Sequence, residues 1–225
     1  MTYRELINEV LIRLREETIA TNWSGNINDS TTVTDYQKVI GSLINDAKRS
    51  IESYHDWVVL RETVNVSTVA GTKNYNLSSG QDFKIMDVVN NATGNQLVQV
   101  SRAYLNRDKF PTASSGDPHY YGFNGSDSSN NLKIDFSPVP NKVEVISFDI
   151  VKYQDTLQTA NTVVKIPVQP LILGAWARSI SERGEDGGTQ SAIAAEEASN
   201  SLSQAVMVDS GHAQFETDWF MSNLH

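Results

Sequence analysis

The chain predicts an α+β fold: a four-helix bundle carrying a small antiparallel β-barrel or sandwich module as an insert, followed by an extended C-terminal tail. Three features of the 225 residues lead there. Apolar residues recur at helical spacing up to Tyr54 and again after Pro170. Between Trp57 and Tyr153 the period shortens to that of a strand. Beyond Arg183 there is no Lys or Arg. The boundaries implied are 1–56 for helices one and two, 57–159 for the inserted module, 160–208 for helices three and four, and 209–225 for the tail.

Residues 2–20 read as the first helix. Thr2 with Glu5 fits a capping box, and Leu6, Ile7, Val10, Leu11 and Leu14 make one apolar face. The Asn- and Gly-rich stretch 22–32 is a loop. A second capping box, Thr34 with Gln37, starts a helix that runs to Tyr54. Its apolar stripe is Tyr36, Val39, Ile40, Leu43, Ala47, Ile51 and Tyr54. Two amphipathic helices cannot close a core alone, so both need partners from later in the chain.

The next hundred residues read as strands at 60–68, 72–77, 83–90, 96–100, 117–123, 131–136 and 142–153. They are rich in β-branched and aromatic residues and bounded by Gly, Pro, Asn or Ser. Only 103–110 breaks the series, as a short helix. Short strands at this spacing suit a small barrel or sandwich. Helix returns near Pro170, a residue suited to a first turn, and continues to Arg183. GEDGG is a turn, and the Ala-rich stretch 190–207 is a fourth helix with small residues that permit close approach. The segment after Gly211 follows no clear period.

Composition excludes several classes. With no cysteine there is no disulfide, thiolate metal site or Cys nucleophile. Charges run through residues 1–20, unlike the apolar stretch of a signal peptide, and no run of about 18 apolar residues offers a membrane span. The expectation is a soluble protein of a reducing cytosol. Seven of the nine excess negative charges follow Arg183. No Lys/Arg cluster is present to bind a phosphate backbone, so direct DNA binding is disfavoured.

No catalytic or ligand constellation emerges. His55, His119, His212 and His225 show no metal-ligand spacing. His55 reads as a residue favourable to a helix C-terminus. Asp135 and Asp149 are conceivable as an acid–base pair but read as surface carboxylates. The stretch NGSDSSNN only loosely echoes a calcium loop and reads as a flexible hairpin tip, and no phosphate-binding or nucleophile-elbow motif occurs. The expectation is therefore no enzyme, no cofactor and no metal. Phe215, Trp219, Phe220, Met221 and Leu224, set among Glu216 and Asp218, read either as side chains that pack back on the chain's own helices or as anchors for a partner's pockets, and the all-acidic background favours the anchors.

Several motifs occur in a telling order: Tyr54-His55-Asp56-Trp57, then TVAGTKNYNL (68–77), Phe83 to Val89, Gly116-Asp117-Pro118-His119-Tyr120-Tyr121, and Phe136-Ser137-Pro138-Val139-Pro140. Together they resemble the podovirus-type head-to-tail adaptors, also called head completion or connector proteins, of tailed bacteriophages. The resemblance spans about 36–183. It departs at Ser78-Ser79-Gly80, where that family often has Pro and Asp.

The resemblance implies a virion protein, assembled in host cytoplasm and placed at the head–tail junction. It implies a homo-oligomeric ring of twelve copies that binds the portal protein, meets the tail nozzle or fibres, and passes DNA without binding it specifically. Phe215, Trp219, Phe220, Met221 and Leu224 would then be the portal-binding residues. Two other classes are a carbohydrate-binding or tail-fibre-associated β module, suggested by His119-Tyr120-Tyr121, and a glycosidase or lyase, for which the sequence offers no nucleophile.

Overall fold

The computed structural model describes residues 1–29, 31–77, 82–107, 114–184 and 188–213. The chain divides into two units, Met1–Leu60 with Tyr153–His225, and Arg61–Lys152.

The first unit is helical. α1 (Tyr3–Arg13) and α2 (Asp35–Tyr54) each begin with a complete capping box, in which Thr2 and Glu5, or Thr34 and Gln37, satisfy each other's free backbone N–H groups. α1 ends well short of residue 20. Arg15 takes φ +59°, and Arg15 N–H and Glu16 N–H return to the carbonyls of Ile12 and Leu11. That pair of bonds is a Schellman stop. It is built on Arg rather than the usual Gly, so the sequence carried no stop signal. The chain that follows is held by Asn8, whose side-chain amide accepts from Ile19 N–H at 2.8 Å and donates to Ile19 O at 3.1 Å.

α2 buries Gln37, Ile40, Gly41, Ile44, Ala47, Lys48, Ile51 and Glu52. This face is rotated from the expected stripe: Val39 and Tyr54 are exposed, and Tyr36 and Leu43 are half-buried. The rotation brings in an ion pair. Lys48 Nζ lies 2.9 Å from Glu52 Oε2 and also donates to Gln154 O, while Gln154 N–H donates to Glu52 Oε1 at 3.1 Å. Burial pushes the Glu52 carboxyl up, and Lys48 and the Gln154 N–H pull it part of the way back. A buried charge pair is tolerated only when its remaining lone pairs and protons are satisfied in this way.

Gln154 belongs to an irregular segment that threads across the helices. Leu157 pairs with the side chain of Asn45, donating to Oδ1 at 2.8 Å and accepting from Nδ2 at 3.0 Å. Tyr3 N–H and Arg4 N–H donate to Thr162 O and Ala160 O, and Val164 N–H donates to Met1 O. Leu157, Ala160, Val164 and Ile166 are buried. α4 (Val168–Arg183) follows and packs on α2 and α1, and α5 (Thr189–Ala213) runs along α4. α4 stops at Gly184, in the left-handed conformation (φ +66°) that suits glycine.

The second unit is mostly strand. β1 (Arg61–Ser67), β10 (Val145–Lys152), β3 (Phe83–Asn90) and β4 (Asn95–Gln96) form one sheet in that order. β2 (Asn74–Leu77), β8 (Leu132–Ser137), β7 (Tyr120–Ser126) and β5 (Val98–Gln99) form another, and β6 (Ser115–Gly116) pairs with β9 (Val139–Pro140). The expected single strand 96–100 is two, because the chain crosses from one sheet to the other at buried Leu97. α3 (Arg102–Arg107) covers the start of the expected 103–110 helix; the rest of that helix lies outside the described residues.

Both four-stranded sheets turn their apolar faces into one cluster, centred on Leu77, Val88, Tyr121, Ile134, Phe136 and Phe148. Neither sheet closes on itself among the described residues, so the barrel expectation is corrected: each sheet keeps two edges. Nor is the module wholly antiparallel, since β5–β7 and β6–β9 pair in parallel.

Candidate assembly surface

α5 is the element on which the site question turns. It is 25 residues long. Ala and Ser favour or tolerate the helix, and no Pro interrupts it. Its N-terminal half is seated on α4 where Ala194, fully buried, meets Ala177 and Ile180, with Leu14 and Trp176 at the margin. Small residues on both sides let the two backbones come close.

Among the described side chains of α5, Ala194 alone is buried. α1, α2 and α4 pack on one another, and α5 packs along α4. It also runs further than expected, taking in Asp209, Ser210 and Gly211 as helix. The physical reason is that Gly211 is a weak breaker once neighbouring residues have helical partners. Ile193, Met207 and Val208 stand out at 53%, 76% and 65% exposure.

Where α5 crosses α4 it leaves a groove lined by Gly174, Ala177 and Ser181 on one side and Ser191, Ala195 and Ala198 on the other. Arg178 borders it, with its guanidinium donating to Gly174 O at 3.2 Å and Ser50 Oγ at 2.9 Å. The floor is therefore small and nearly uncharged, apart from one pinned cation. Arg183, at the end of α4, donates to Tyr36 Oη at 2.7 Å and pairs with Glu16, with its guanidinium 4.9 Å from the Tyr36 ring centroid. This ties the end of α4 to α2 and to the chain after α1.

The side chains singled out for chemistry do not converge. Asp135, on β8, is buried and accepts from the amides of Asn74 and Asn124. Asp149, on β10 of the other sheet, accepts from Thr63 Oγ1 at 2.6 Å. Each carboxylate has its own partners and a different sheet, so no acid–base dyad forms. No group of three or more His, Asp or Glu able to hold a metal occurs among the described residues. Nor is any described helix long and apolar enough to cross a membrane.

In the run His119-Tyr120-Tyr121, His119 is exposed, Tyr120 is half-buried and Tyr121 faces the core. Tyr121 is 4% exposed and stacks edge-on against Phe123 and Phe148, and Tyr120 meets Tyr104 edge-on. The NGSDSSNN tip is built rather than loose. Asp127 Oδ1 accepts from Ser129 N–H and Asn131 N–H at 2.9 and 2.8 Å, and Oδ2 accepts from Asn76. Those donors hold the Asp127 carboxyl below the usual aspartate range, the Asn131 N–H chief among them.

His55 sits at the C-cap of α2, where its Nε2 lies 3.0 Å from Asp209 Oδ2. Composition marked α5 as a helix with small faces, but nothing local marked its exposure. Phe215, Trp219, Phe220, Met221 and Leu224 lie outside the described residues, as does the Ser78-Ser79-Gly80 departure.

A comparison with curated proteins returns no match. The model of the SU10 adaptor protein family matches residues 1–217. That family is one of bacteriophage structural proteins acting with other phage components at the head–tail junction, and it is not an enzyme family. With residues 1–217 of the 225 matched, the protein belongs to the SU10 adaptor protein family.

Proposed function

We propose that this chain is the head-to-tail adaptor of a phage particle. Twelve copies form a ring that joins the portal to the tail nozzle or fibres and leaves a channel for DNA. The observation that carries the reading is α5: a helix of 25 residues with one buried side chain is a poor investment for a monomer and a ready contact for a neighbouring copy. Ile193, Met207 and Val208 supply the exposed apolar groups, and the groove over Gly174 and Ala195 supplies a recess of matching chemistry. Contacts of this head-to-tail kind close into a ring when the rotation between copies divides a full turn.

In the same reading the anchors Phe215, Trp219, Phe220, Met221 and Leu224 engage the portal. The net charge of −9 suits a bore along which DNA slides, because like charge prevents the phosphate backbone from sticking. The test is to mix the full chain, and a chain ending at Ala213, with the cognate portal and follow both by sedimentation. The intact chain is expected to bind the portal as a ring, and the shortened one to bind at least tenfold more weakly. Equal binding by the two removes the portal-anchor role of 214–225. A full chain that stays monomeric on the portal removes the ring.

A further inference from the structure

α4 has 16 residues and α5 has 25, and they run back along each other. The nine extra residues, at about 1.5 Å each, carry α5 roughly 13 Å past the start of α4. Gln169, in the first turn of α4, lines the same recess as Asn200 and Gln204, so the overhang begins just beyond residue 204. This overhang does not end free. In residues 203–213, Asp209 is the described side chain that hydrogen-bonds off the helix. Its Oδ2 lies 3.0 Å from His55 Nε2 and accepts from Val58 N–H at 3.1 Å.

The receiving side is rigid. His55 has left the helix (φ −145°), and its ring meets Trp57 edge-on with centroids 5.0 Å apart. Trp57 is fully buried and donates Nε1–H to Ile51 O at 2.9 Å. Val58 opens the 3-10 turn Val58–Leu60, so its N–H would otherwise lack an acceptor.

Asp209 is, in addition, locally misplaced. An aspartate propagates a helix less well than alanine, and a negative charge near the C-terminal end opposes the helix dipole. Against both local preferences, Asp209 makes two long-range hydrogen bonds.

We propose that the Asp209 carboxylate is a clasp that holds the overhang 205–213 of α5 against the end of α2. The proposal stands independently of any portal contact.

Amide hydrogen exchange on the full chain tests it. Local helix physics alone says that Asp209→Ala slows exchange over 205–213, through better propensity and a relieved dipole. The clasp says the opposite: exchange there rises about tenfold to a hundredfold, while amides of α4 keep their rates. Unchanged or slower exchange overturns the proposal. His55→Phe keeps a ring against Trp57 and removes the nitrogen, and is expected to raise exchange over the same residues by a smaller factor. It also provides the reading if Asp209→Ala disturbs α4 as well. The double variant is expected to exchange no faster than Asp209→Ala alone; independent, multiplying effects would show that the two residues do not form one device.

Discussion

α2 and α5 are the two longest helices of one unit, and they relate to it in opposite ways. α2 buries eight of 20 residues, including an ion pair, and makes its contacts with the chain's own segments. α5 is longer and buries one of its described side chains. α2 is amphipathic on a face that the apolar residues only half reveal, because Gln37, Lys48 and Glu52 share it. α5 shows no strong face at all; Ala and Ser surround it on every side. A helix of the first kind is held by its own chain. A helix of the second kind has good propensity and rests on one neighbour, α4, with most of its described side chains exposed or half-buried.

The largest effect expected from this contrast is in α2. Glu52→Ala leaves Lys48 buried without its counter-charge and should lower the free energy of unfolding by about 3–5 kcal/mol in urea titration. The double replacement Lys48→Met with Glu52→Leu should recover most of that. A loss below about 1 kcal/mol for the single variant would show that α2 is not gripped by the pair.

Gly41→Ala comes next. A Cβ there would lie 2.7 Å from Ile27 Cδ1 and against the Tyr3 hydroxyl, both on buried residues. Alanine improves helix propensity by about 1 kcal/mol, but overpacking a filled site costs about 1–3 kcal/mol. A net destabilisation of about 1–2 kcal/mol is expected in the same titration. A net gain would mean that α1 and α2 have room to separate.

In α5, by contrast, Ile193→Ser, Met207→Ser and Val208→Ser should each change monomer stability by no more than about 0.5 kcal/mol. The three together should reduce ring formation sharply in sedimentation. Stability losses like those of α2 would place these side chains in an internal core and erase the distinction.

The smallest effect is confined to the strand unit and serves as a control on local order. Asp127 has a lowered pKa, so its hold on the hairpin tip is fully present above the ordinary aspartate value of about 3.9 and is lost as pH falls through the depressed folded value. The amide signals of Ser129 and Asn131 should therefore shift only in strongly acid solution. Shifts already complete near pH 5 would show that Asp127 is not their acceptor.

Much of this was legible in the residues. Both capping boxes are where Thr2–Glu5 and Thr34–Gln37 placed them, and α2 has its expected length. Strand gives way to helix in the order read, and the motif series pointed to the family that matches residues 1–217. The early end of α1 was hidden because Arg15 occupies a position where glycine would have announced the stop. The rotated face of α2 was hidden because two of its members are charged, and a charge reads as exposed until its partner is known.

Caps, periods and turns depend on groups within a few residues of one another, so the order of residue types decides them. The grip of Lys48 and Glu52 on Gln154, the pairing of Asn45 with Leu157 and the reach of Asp209 to Val58 join groups more than a hundred residues apart. Hydrogen bonding and burial act over ångströms of space and carry no trace along the chain, so which distant backbone a buried amide or carboxylate meets was set only when the segments packed.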